Sequence, residues 1–247
     1  MVEMLDDKYL VLDQGNTRLK ITVFDSAKNL IFSKVINEIL IDPITEIVGI
    51  FNPKGTLYSA SGKINKDLIS FLEKLPKFIF LDSNTKLPIS IDYKTPLTLG
   101  VDRIANVCGA QSLFPDRPSL VIDFGTCITY NFIDEKRCFL GGAIAPGLAM
   151  RAKAMNTFTE NLPLVEFYNG NSFIGKDTES CLNVGIMEGV KHEIQGYINQ
   201  YSAIYPNLTI IFTGGDHSYF VNTIECTIFA DLNLTAIGLN EILQYNK

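Results

Sequence analysis

The stretch LVLDQGNTRLKITVFD, residues 10–25, determines how the first half of the chain folds. Two apolar runs flank a polar segment containing Gly15. Short runs rich in Val and Ile, bounded by Gly, Asn or Asp, are typical of strands joined by a tight turn. Asp13 ends the first predicted strand and Lys20 lies on the returning one. The pattern therefore predicts a hairpin that places a carboxylate at the edge of a buried sheet, directly before a turn that favours glycine.

A second stretch of the same form, LVIDFGTCITYNFID, occupies residues 120–134. An apolar strand ends in Asp123, the chain turns at Gly125 and Thr126, and another apolar strand follows. The two aspartates are 110 positions apart (123 − 13 = 110). Two hairpins of one type, each followed by alternating strands and helices, predict an internal duplication.

The duplication predicts two α/β domains, residues 1–115 and 116–247. The boundary falls in FPDRPS, residues 114–119, where two prolines interrupt the periodicity. Each half begins with three predicted strands and continues with mixed helices and strands. A loop is expected over residues 88–96, and a long helix from about Thr178 to Tyr201.

Composition excludes several classes of protein. The 247 residues are 47% hydrophobic and 19% charged, as in soluble globular proteins. No apolar run approaches the roughly 18 residues of a membrane span, and the N-terminal residues do not resemble a signal peptide, so we expect a cytoplasmic protein. The net charge of −6 disfavours binding to nucleic acid. Five cysteines without CxxC spacing and two distant histidines give little support for zinc, disulfides or histidine-based catalysis.

Both hairpins have the groups needed to bind phosphate. Free N–H groups of the turns and the hydroxyls of Thr17 and Thr126 can donate to phosphate oxygens. Asp13 could hold a hydrated Mg²⁺ ion, and Lys20 could reach a phosphate as a point charge. The alternative is a plain hairpin, in which Asp and Gly are favoured for conformational reasons alone. Two such turns in two similar halves favour a nucleotide held from both sides.

The segment LGVDRIAN contains the best candidate for a general base. Asp102 follows Gly100 at the predicted start of a helix, where the helix dipole stabilises a negative charge. Arg103 beside it offers a forked donor suited to a carboxylate. The alternative is an aspartate that caps the helix, followed by an arginine on the surface.

These hairpins resemble those of the acetate kinase, sugar kinase, Hsp70 and actin superfamily, and the finer pattern resembles type III pantothenate kinases. Four motifs of that family occur here in family order: DQGNTRLK (13–20), TPLTLGVDRIAN (95–106), DFGTCIT (123–129) and GGAIAPGL (141–148). The resemblance implies two duplicated ribonuclease-H-like domains, each a mixed five-stranded sheet flanked by helices, with the nucleotide cleft between them. It also implies ATP-dependent phosphorylation of pantothenate to 4′-phosphopantothenate, the first step of coenzyme A biosynthesis.

The resemblance also implies roles for individual residues. Asp102 would be the catalytic base. ATP would be bound, with Mg²⁺, by Asp13, Gly15, Asn16, Thr17, Lys20, Gly125 and Thr126. Pantothenate would be bound by Tyr93, Gly100, Val101, Asp102, Arg103 and Thr178. Asp123 would bind a monovalent cation, K⁺ or NH₄⁺. Glycines 214 and 215 either approach the adenosine or only form a turn.

We expect a homodimer in which Thr178 reaches the substrate of the neighbouring subunit, as the resemblance implies. On residue type alone, Thr178 could equally be a helix N-cap. An apolar stripe on the predicted long helix, extended by Ile186 and Gly189, supports the dimer unless it is only the core of its own domain. The stripe consists of Val184, Met187, Val190 and Ile194.

Two other functions stay open at this stage. One is a non-catalytic regulator similar to the Bvg accessory factors, which share the family. The other is a different kinase or a polyphosphate hydrolase of the superfamily. A P-loop kinase is excluded because the sequence has no GxxxxGK[ST] motif.

Overall fold

The chain folds around the two predicted hairpins, and each hairpin belongs to a separate compact unit. The computed structural model describes residues 6–15, 18–62, 64–170 and 172–247. One unit contains the described residues up to Leu113 together with Asn233–Lys247. The other unit contains Phe114–Leu232.

The first unit is built on a five-stranded mixed sheet with the order β3-β2-β1-β4-β5. The strands are β1 (Tyr9–Gln14), β2 (Leu19–Phe24), β3 (Leu30–Ile36), β4 (Gly55–Ala60) and β5 (Phe78–Phe80). The first three strands pair antiparallel, whereas β4 pairs parallel with β1, and β5 pairs parallel with β4. Parallel neighbours need crossover connections. Helices α1 (Ile41–Phe51) and α2 (Lys66–Leu72) lie in the connections that lead into β4 and β5.

One face of this sheet packs against α1 and α2. Leu12 of β1 and Tyr58 of β4 are fully buried in a core with Ile44 of α1 and Leu68 of α2. The side chain of Asn65 caps α2, because its Oδ1 accepts a hydrogen bond from the Leu68 N–H at 3.0 Å. Successive strand residues point to opposite faces, so the neighbours of Leu12 and Tyr58 point to the other side.

That other side is covered by α6 (Leu234–Tyr245), which packs on β1 and β4. A Cβ at Gly55 would lie 3.4 Å from Leu243 Cδ1, which shows that this position of β4 faces α6. Asp13 of β1 and Ser59 of β4 are register partners. Ser59 is four residues after Gly55 on the same strand, so the side chains of Ser59 and Asp13 lie on this face of the sheet. The sheet thus presents the hairpin aspartate on the side of α6.

Helices α3 (Val101–Leu113) and α6 cross with almost no space between their backbones. A Cβ at Gly238 would overlap the carbonyl of Ala105, so only glycine fits at this crossing. The Thr235 hydroxyl donates to Asn106 Oδ1 at 2.8 Å across the same contact. This packing corrects the predicted domain division. The split at 115/116 assigned the last helix to the second domain, but the helix returns to the first unit because its glycine fits against α3.

The second unit repeats the topology of the first. Its strands have the order β11-β10-β7-β8-β9, with β7, β8 and β9 antiparallel and with β10 and β11 parallel to β7. They are β7 (Ser119–Phe124), β8 (Cys127–Ile133), β9 (Cys138–Pro146), β10 (Thr209–Thr213) and β11 (Ile228–Ala230). When β7 is aligned with β1, both sheets have the same strand order, with two antiparallel strands on one side of the aligned strand and two parallel strands on the other. The predicted duplication is therefore confirmed.

The core of the second unit includes one face of the long helix. Helices α4 (Leu148–Phe158) and α5 (Thr178–Ile204) contribute to this core, where Met187, Val190 and Ile194 are buried with Ile186. Most of the stripe predicted on α5 is therefore core of its own unit, which is the alternative that the sequence left open; Val184 is half-buried, and the lateral Gly189 is exposed. Its burial removes the stripe as an argument for a dimer.

Two short strands were not predicted. β6 (Ser90–Ile91) lies in the stretch expected to be a loop, and β11 is three residues long. Runs of two or three residues are too short to show a hydrophobic period. Within the described ranges, no helix combines the length and apolarity needed to cross a membrane.

Candidate active site

The first hairpin places Asp13 and Lys20 opposite each other. The two residues are register partners on β1 and β2, and both side chains are half-buried. The Gly15 N–H donates to the Arg18 carbonyl at 2.9 Å and closes the turn. Asn16 and Thr17, which were predicted to bind ATP, lie outside the described residues. The turn thus presents a carboxylate and an ammonium group side by side at the end of the strand.

A buried tyrosine anchors the end of β1. The Tyr58 hydroxyl donates to Gln14 Oε1, and burial raises the pKa of Tyr58. The Gln14 carbonyl also accepts a hydrogen bond from the Ser61 N–H at 2.9 Å. Sequence reasoning did not single out Gln14 or Tyr58, because Gln at the end of a strand and Tyr in a core are individually ordinary. Together they hold the residue that follows Asp13 in a fixed position.

The start of α3 brings together the predicted base and the predicted carboxylate binder. The Arg103 N–H donates to Asp102 Oδ1 at 2.9 Å, and the Gly100 carbonyl accepts from Arg103 N at 3.1 Å. A Cβ at Gly100 would lie 2.5 Å from Asp102 Oδ1, so a larger residue here would displace the carboxylate. Asp102 is half-buried in the first turn of the helix.

Arg103 is not a surface arginine, contrary to the alternative that the sequence left open. It is only 5% exposed, and its guanidinium carbon lies 6.0 Å from the centroid of the Tyr93 ring. That distance is at the limit of a cation–π contact. A buried guanidinium retains its charge, so it needs anionic or polar partners. The structure therefore places Tyr93, Asp102 and Arg103 in one cluster beside Gly100 and Val101.

The second hairpin has the same construction as the first. Asp123 is half-buried at the end of β7, whereas Gly125 and Thr126 are exposed in the turn. The Gly125 N–H donates to the Cys127 carbonyl at 3.1 Å, and the Thr126 carbonyl accepts from Gly147 N at 3.1 Å. The turn therefore exposes polar backbone and a hydroxyl next to a carboxylate.

Two further glycines, Gly147 and Gly214, pack directly on this hairpin. A Cβ at Gly147 would lie 2.5 Å from the Gly125 carbonyl oxygen, which explains the glycine of the GGAIAPGL motif. Gly214 has φ +86°, a conformation that favours glycine, and a Cβ there would lie 2.5 Å from Phe124 N and overlap Asp123 Oδ1. His217 follows, with its Nδ1 2.8 Å from the Gly214 carbonyl, so this nitrogen carries the proton. Gly214 thus borders Asp123, whereas the Cβ position of Gly215 has nothing within 4 Å.

An ion pair fixes the helix that follows the GGAIAPGL motif. Arg151 Nη2 of α4 lies 2.6 Å from Glu193 Oε2 of α5, and Arg151 Nε donates to the Pro146 carbonyl at 2.8 Å. The Tyr130 hydroxyl donates to Glu193 Oε1 at 2.9 Å, and burial together with the nearby Glu193 charge raises the pKa of Tyr130. These residues were not predicted, because their positions in the sequence are far apart. They hold the loop that packs on the second hairpin.

Thr178 is exposed in the first turn of α5. The N-cap is Asp177, whose Oδ1 accepts from Ser180 N at 2.8 Å in a capping box. The hydrogen bond from the Ser180 N–H lowers the pKa of Asp177. The alternative reading of Thr178 as the N-cap is therefore wrong, since the preceding aspartate fills that role. The hydroxyl of Thr178 is not needed to start the helix.

Solved structures of known proteins define the class of this fold. A ROK family glucokinase from Streptomyces griseus, in complex with glucose and AMPPNP, aligns with a TM-score of 0.53 at 11% identity, covering 96% of this chain and 98% of that chain. A Baf family protein from Campylobacter jejuni, described as a transcriptional activator, aligns with a TM-score of 0.63 at 24% identity, covering 96% and 98%. At these identities the likeness shows the fold alone, which is the ribonuclease-H-like fold of the sugar kinases.

Sequence comparison then identifies the family. The family model for type III pantothenate kinase matches residues 9–200. A type III pantothenate kinase from Bacteroides fragilis (strain YCH46) is 40% identical over 239 residues, which cover 96% of this chain and 98% of that protein. The chain belongs to the type III pantothenate kinase family, and the resemblance inferred from the four motifs is confirmed.

Proposed function

We propose that this protein transfers the γ-phosphoryl group of ATP to the terminal hydroxyl of pantothenate and so makes 4′-phosphopantothenate for coenzyme A synthesis. The observation that supports this most directly is the cluster at the start of α3. There Asp102 and a buried Arg103 lie side by side in the family motif, and Arg103 is close to Tyr93. A base and a carboxylate-binding group are what a hydroxy acid substrate requires.

In this proposal Asp102 accepts the proton of the pantothenate hydroxyl as the hydroxyl oxygen attacks the γ-phosphorus. Phosphoryl transfer passes through a loose transition state, so the base mainly orients the hydroxyl and takes its proton late. The Arg103 N–H bond to Asp102 Oδ1 holds the carboxylate in one orientation. Gly100 leaves the space that this orientation needs.

Arg103 binds the carboxylate of pantothenate through its forked guanidinium. Tyr93 lies near the guanidinium, 6.0 Å from its carbon to the ring centroid, and Gly100 and Val101 complete the set that we assign to pantothenate. Burial strengthens this interaction, because a charge pair away from water is less screened. A lysine at this position would retain the positive charge but could not form the two parallel hydrogen bonds that a guanidinium makes to a carboxylate.

ATP phosphates bind to the two hairpins in this proposal. The residues that we assign to ATP are Gly15, Asn16, Thr17 and Lys20 in the first hairpin, and Gly125 and Thr126 in the second. Hydroxyls and the ammonium group would supply the donors, because the N–H groups of Gly15 and Gly125 already close the two turns. The neighbouring GG pair at 214–215 leaves room for the adenosine to approach the backbone.

A divalent metal accompanies ATP in kinases, and the residues at Asp13 fit Mg²⁺. The part of the chain that the structure describes contains no group of three or more His, Cys, Asp or Glu side chains that could hold a metal ion. Mg²⁺ prefers oxygen ligands and usually retains several waters, so the carboxylate of Asp13 could hold it together with waters and phosphate oxygens. When bound with ATP, Mg²⁺ neutralises charge on the phosphates. Asp13, at the end of β1, would hold the ion.

We assign the monovalent cation, K⁺ or NH₄⁺, to Asp123. Its half-buried carboxylate lies between register partners Thr129 and Thr213, next to the tight turn at Gly214. Oxygen atoms from a carboxylate, hydroxyls and backbone carbonyls suit a weakly hydrated cation. The cation would then stabilise the second hairpin in its phosphate-binding form.

We also propose that the protein is a homodimer in which Thr178 reaches the partner's pantothenate. Exposed apolar side chains precede α5, including Phe173 at 77% exposure and Ile174 at 58%. The outward positions Gly185 and Gly189 have nothing within 4 Å of where a Cβ would be, so another backbone can approach there. Apolar groups this exposed favour burial in an interface.

The proposal also places the protein in the cytoplasm.

The test is to incubate the purified protein with ATP, Mg²⁺, potassium and pantothenate, and to look for 4′-phosphopantothenate by mass spectrometry. The proposal predicts a product that depends on both ATP and pantothenate. Absence of product, in a preparation that binds MgATP and is folded, would instead favour the non-catalytic regulator. Phosphorylation of a different hydroxyl compound in preference to pantothenate would favour another kinase of the superfamily.

A further inference from the structure

One hydroxyl in the first unit is buried without a partner although it lies next to the proposed metal site. Ser59 of β4 is 1% exposed, and its Oγ makes no hydrogen bond within the described residues. A buried polar group in that state is costly, and most native proteins satisfy such groups. An unpartnered hydroxyl therefore needs a physical reason.

The position of Ser59 in the sheet suggests the reason. Ser59 is the register partner of Asp13, on the parallel neighbour strand, and Asp13 is in turn the register partner of Lys20. Register partners on adjacent strands point to the same face and lie about 4.8 Å apart. The three side chains therefore form a row across β2, β1 and β4. A serine hydroxyl and a carboxylate at this spacing are within reach of each other.

The second unit also has a hydroxyl at the position that matches Ser59, whereas the position that matches Lys20 is Thr129. Asp123 has Thr213 as its register partner on the parallel strand β10, and Thr213 is also 1% exposed. In both units a buried hydroxyl thus lies beside the hairpin aspartate, at the matching position of the duplicated sheet. An accidental serine would not be expected to have a counterpart of the same chemistry in the other half.

We propose that Ser59 is a positioning residue for Asp13, whose hydroxyl donates to one carboxylate oxygen of Asp13 when the metal–nucleotide complex binds to the other. This inference rests on the proposed role of Asp13. Groups that hydrogen-bond a metal-binding carboxylate fix its orientation, and their loss typically lowers metal affinity or activity about 10- to 100-fold. In the absence of the complex the hydroxyl stays unpaired.

Strand β4 itself supplies a matched control. Thr56 is fully buried, and its Oγ1 also has no hydrogen-bond partner among the described residues. It lies three positions earlier and therefore on the opposite face, away from Asp13. Ser59→Ala and Thr56→Val each delete one unpaired buried hydroxyl with little change in shape. Only the first deletes a hydroxyl beside the hairpin aspartate.

The experiment measures two quantities for the wild type, Ser59→Ala, Ser59→Thr, Thr56→Val and Asp13→Ala. One is the Mg²⁺ concentration that gives half-maximal pantothenate phosphorylation at saturating ATP. The other is the rise in Tm on adding MgATP, which does not depend on turnover. Ser59→Ala should need about tenfold more Mg²⁺ and show a smaller rise in Tm, with kcat at saturating Mg²⁺ nearly unchanged. Ser59→Thr keeps a hydroxyl and introduces the residue type found in the second unit, so the Mg²⁺ requirement and the rise in Tm should both stay at the wild-type values. Thr56→Val should also match the wild type.

The outcomes separate this inference from the function on which it rests. If Ser59→Ala behaves like Thr56→Val while Asp13→Ala loses its response to Mg²⁺, the positioning role is wrong and the role of Asp13 stands. If Asp13→Ala keeps the wild-type response to Mg²⁺ in both measurements, the metal assignment of Asp13 fails and the inference about Ser59 fails with it.

Discussion

Arg103 lies against Tyr93, with its guanidinium carbon 6.0 Å from the ring centroid, and is 95% buried although it occupies the third position of a helix. Arginine is seldom so buried unless it is paired. In the proposed function this burial strengthens the interaction between the guanidinium and the pantothenate carboxylate.

Arg103→Lys should therefore raise KM for pantothenate and lower kcat/KM about 10- to 100-fold, because lysine keeps the charge but loses the bidentate fork. KM for ATP should change much less. Steady-state kinetics with each substrate varied in turn measures both. Arg137→Lys, an exposed arginine paired with Asp116, is the control and should be near wild type. Equal effects of the two substitutions on pantothenate KM would contradict the assignment of Arg103.

Gly100→Ala should lower kcat at least tenfold without unfolding the protein, because the new Cβ would lie 2.5 Å from Asp102 Oδ1 and force the carboxylate to move. Gly49→Ala on α1 is the control. Nothing lies within 4 Å of that Cβ, so alanine should leave kcat unchanged and stabilise the helix by about 0.5–1 kcal/mol. Kinetics and thermal unfolding of both variants check this. A fully active Gly100→Ala enzyme would show that the Asp102 orientation in the structure is not required.

Asp123→Ala should weaken activation by potassium, whereas Asp13→Ala should impair use of the metal–nucleotide complex. The two aspartates occupy matching positions in the duplicated units, so each variant is the control for the other. A potassium titration of both variants at saturating Mg²⁺ and ATP distinguishes them. Normal potassium activation in Asp123→Ala would show that the monovalent cation binds elsewhere.

Mixing Asp102→Asn with Thr178→Phe, each inactive alone, should restore part of the activity. A mixed dimer would contain one site with both an intact Asp102 and an intact Thr178. Analytical ultracentrifugation should show a dimer for the wild type. A fully active monomer would contradict the dimer. An active dimer that gives no complementation would reject only the contribution of Thr178 to the neighbouring site.

The hairpins and the duplicated sheets were predictable because their signals are local. A strand that ends in Asp, a turn with Gly and a returning apolar strand fall within 16 residues, and the same pattern occurs twice. The order of the four motifs likewise identifies the family from the sequence alone. One glycine, one carboxylate and a predicted helix start made Asp102 a candidate base, and the resemblance to the family favoured that role over a helix cap.

Features that depend on distant contacts were not predictable. The last helix follows the second unit in sequence, and only the fit of Gly238 against Ala105 places it on the first unit. The apolar stripe of α5 has the same period whether it faces a core or a partner, so the sequence could not separate the two. Thr178 and Asp177 are both good cap residues, and the choice depends on the hydrogen bond to Ser180. The unpaired hydroxyl of Ser59 becomes visible only when β4 is placed beside β1.

The central claim is that Asp102 is the base in phosphoryl transfer to pantothenate, and Asp102→Asn tests it most directly. Asparagine keeps the shape and removes the proton acceptor, so folding and the Tm rise with MgATP should be retained. General-base contributions are about 10²–10⁴-fold, so kcat for 4′-phosphopantothenate, measured by mass spectrometry, should fall at least 100-fold. A variant that retains more than about a tenth of the wild-type kcat would show that Asp102 is not the base.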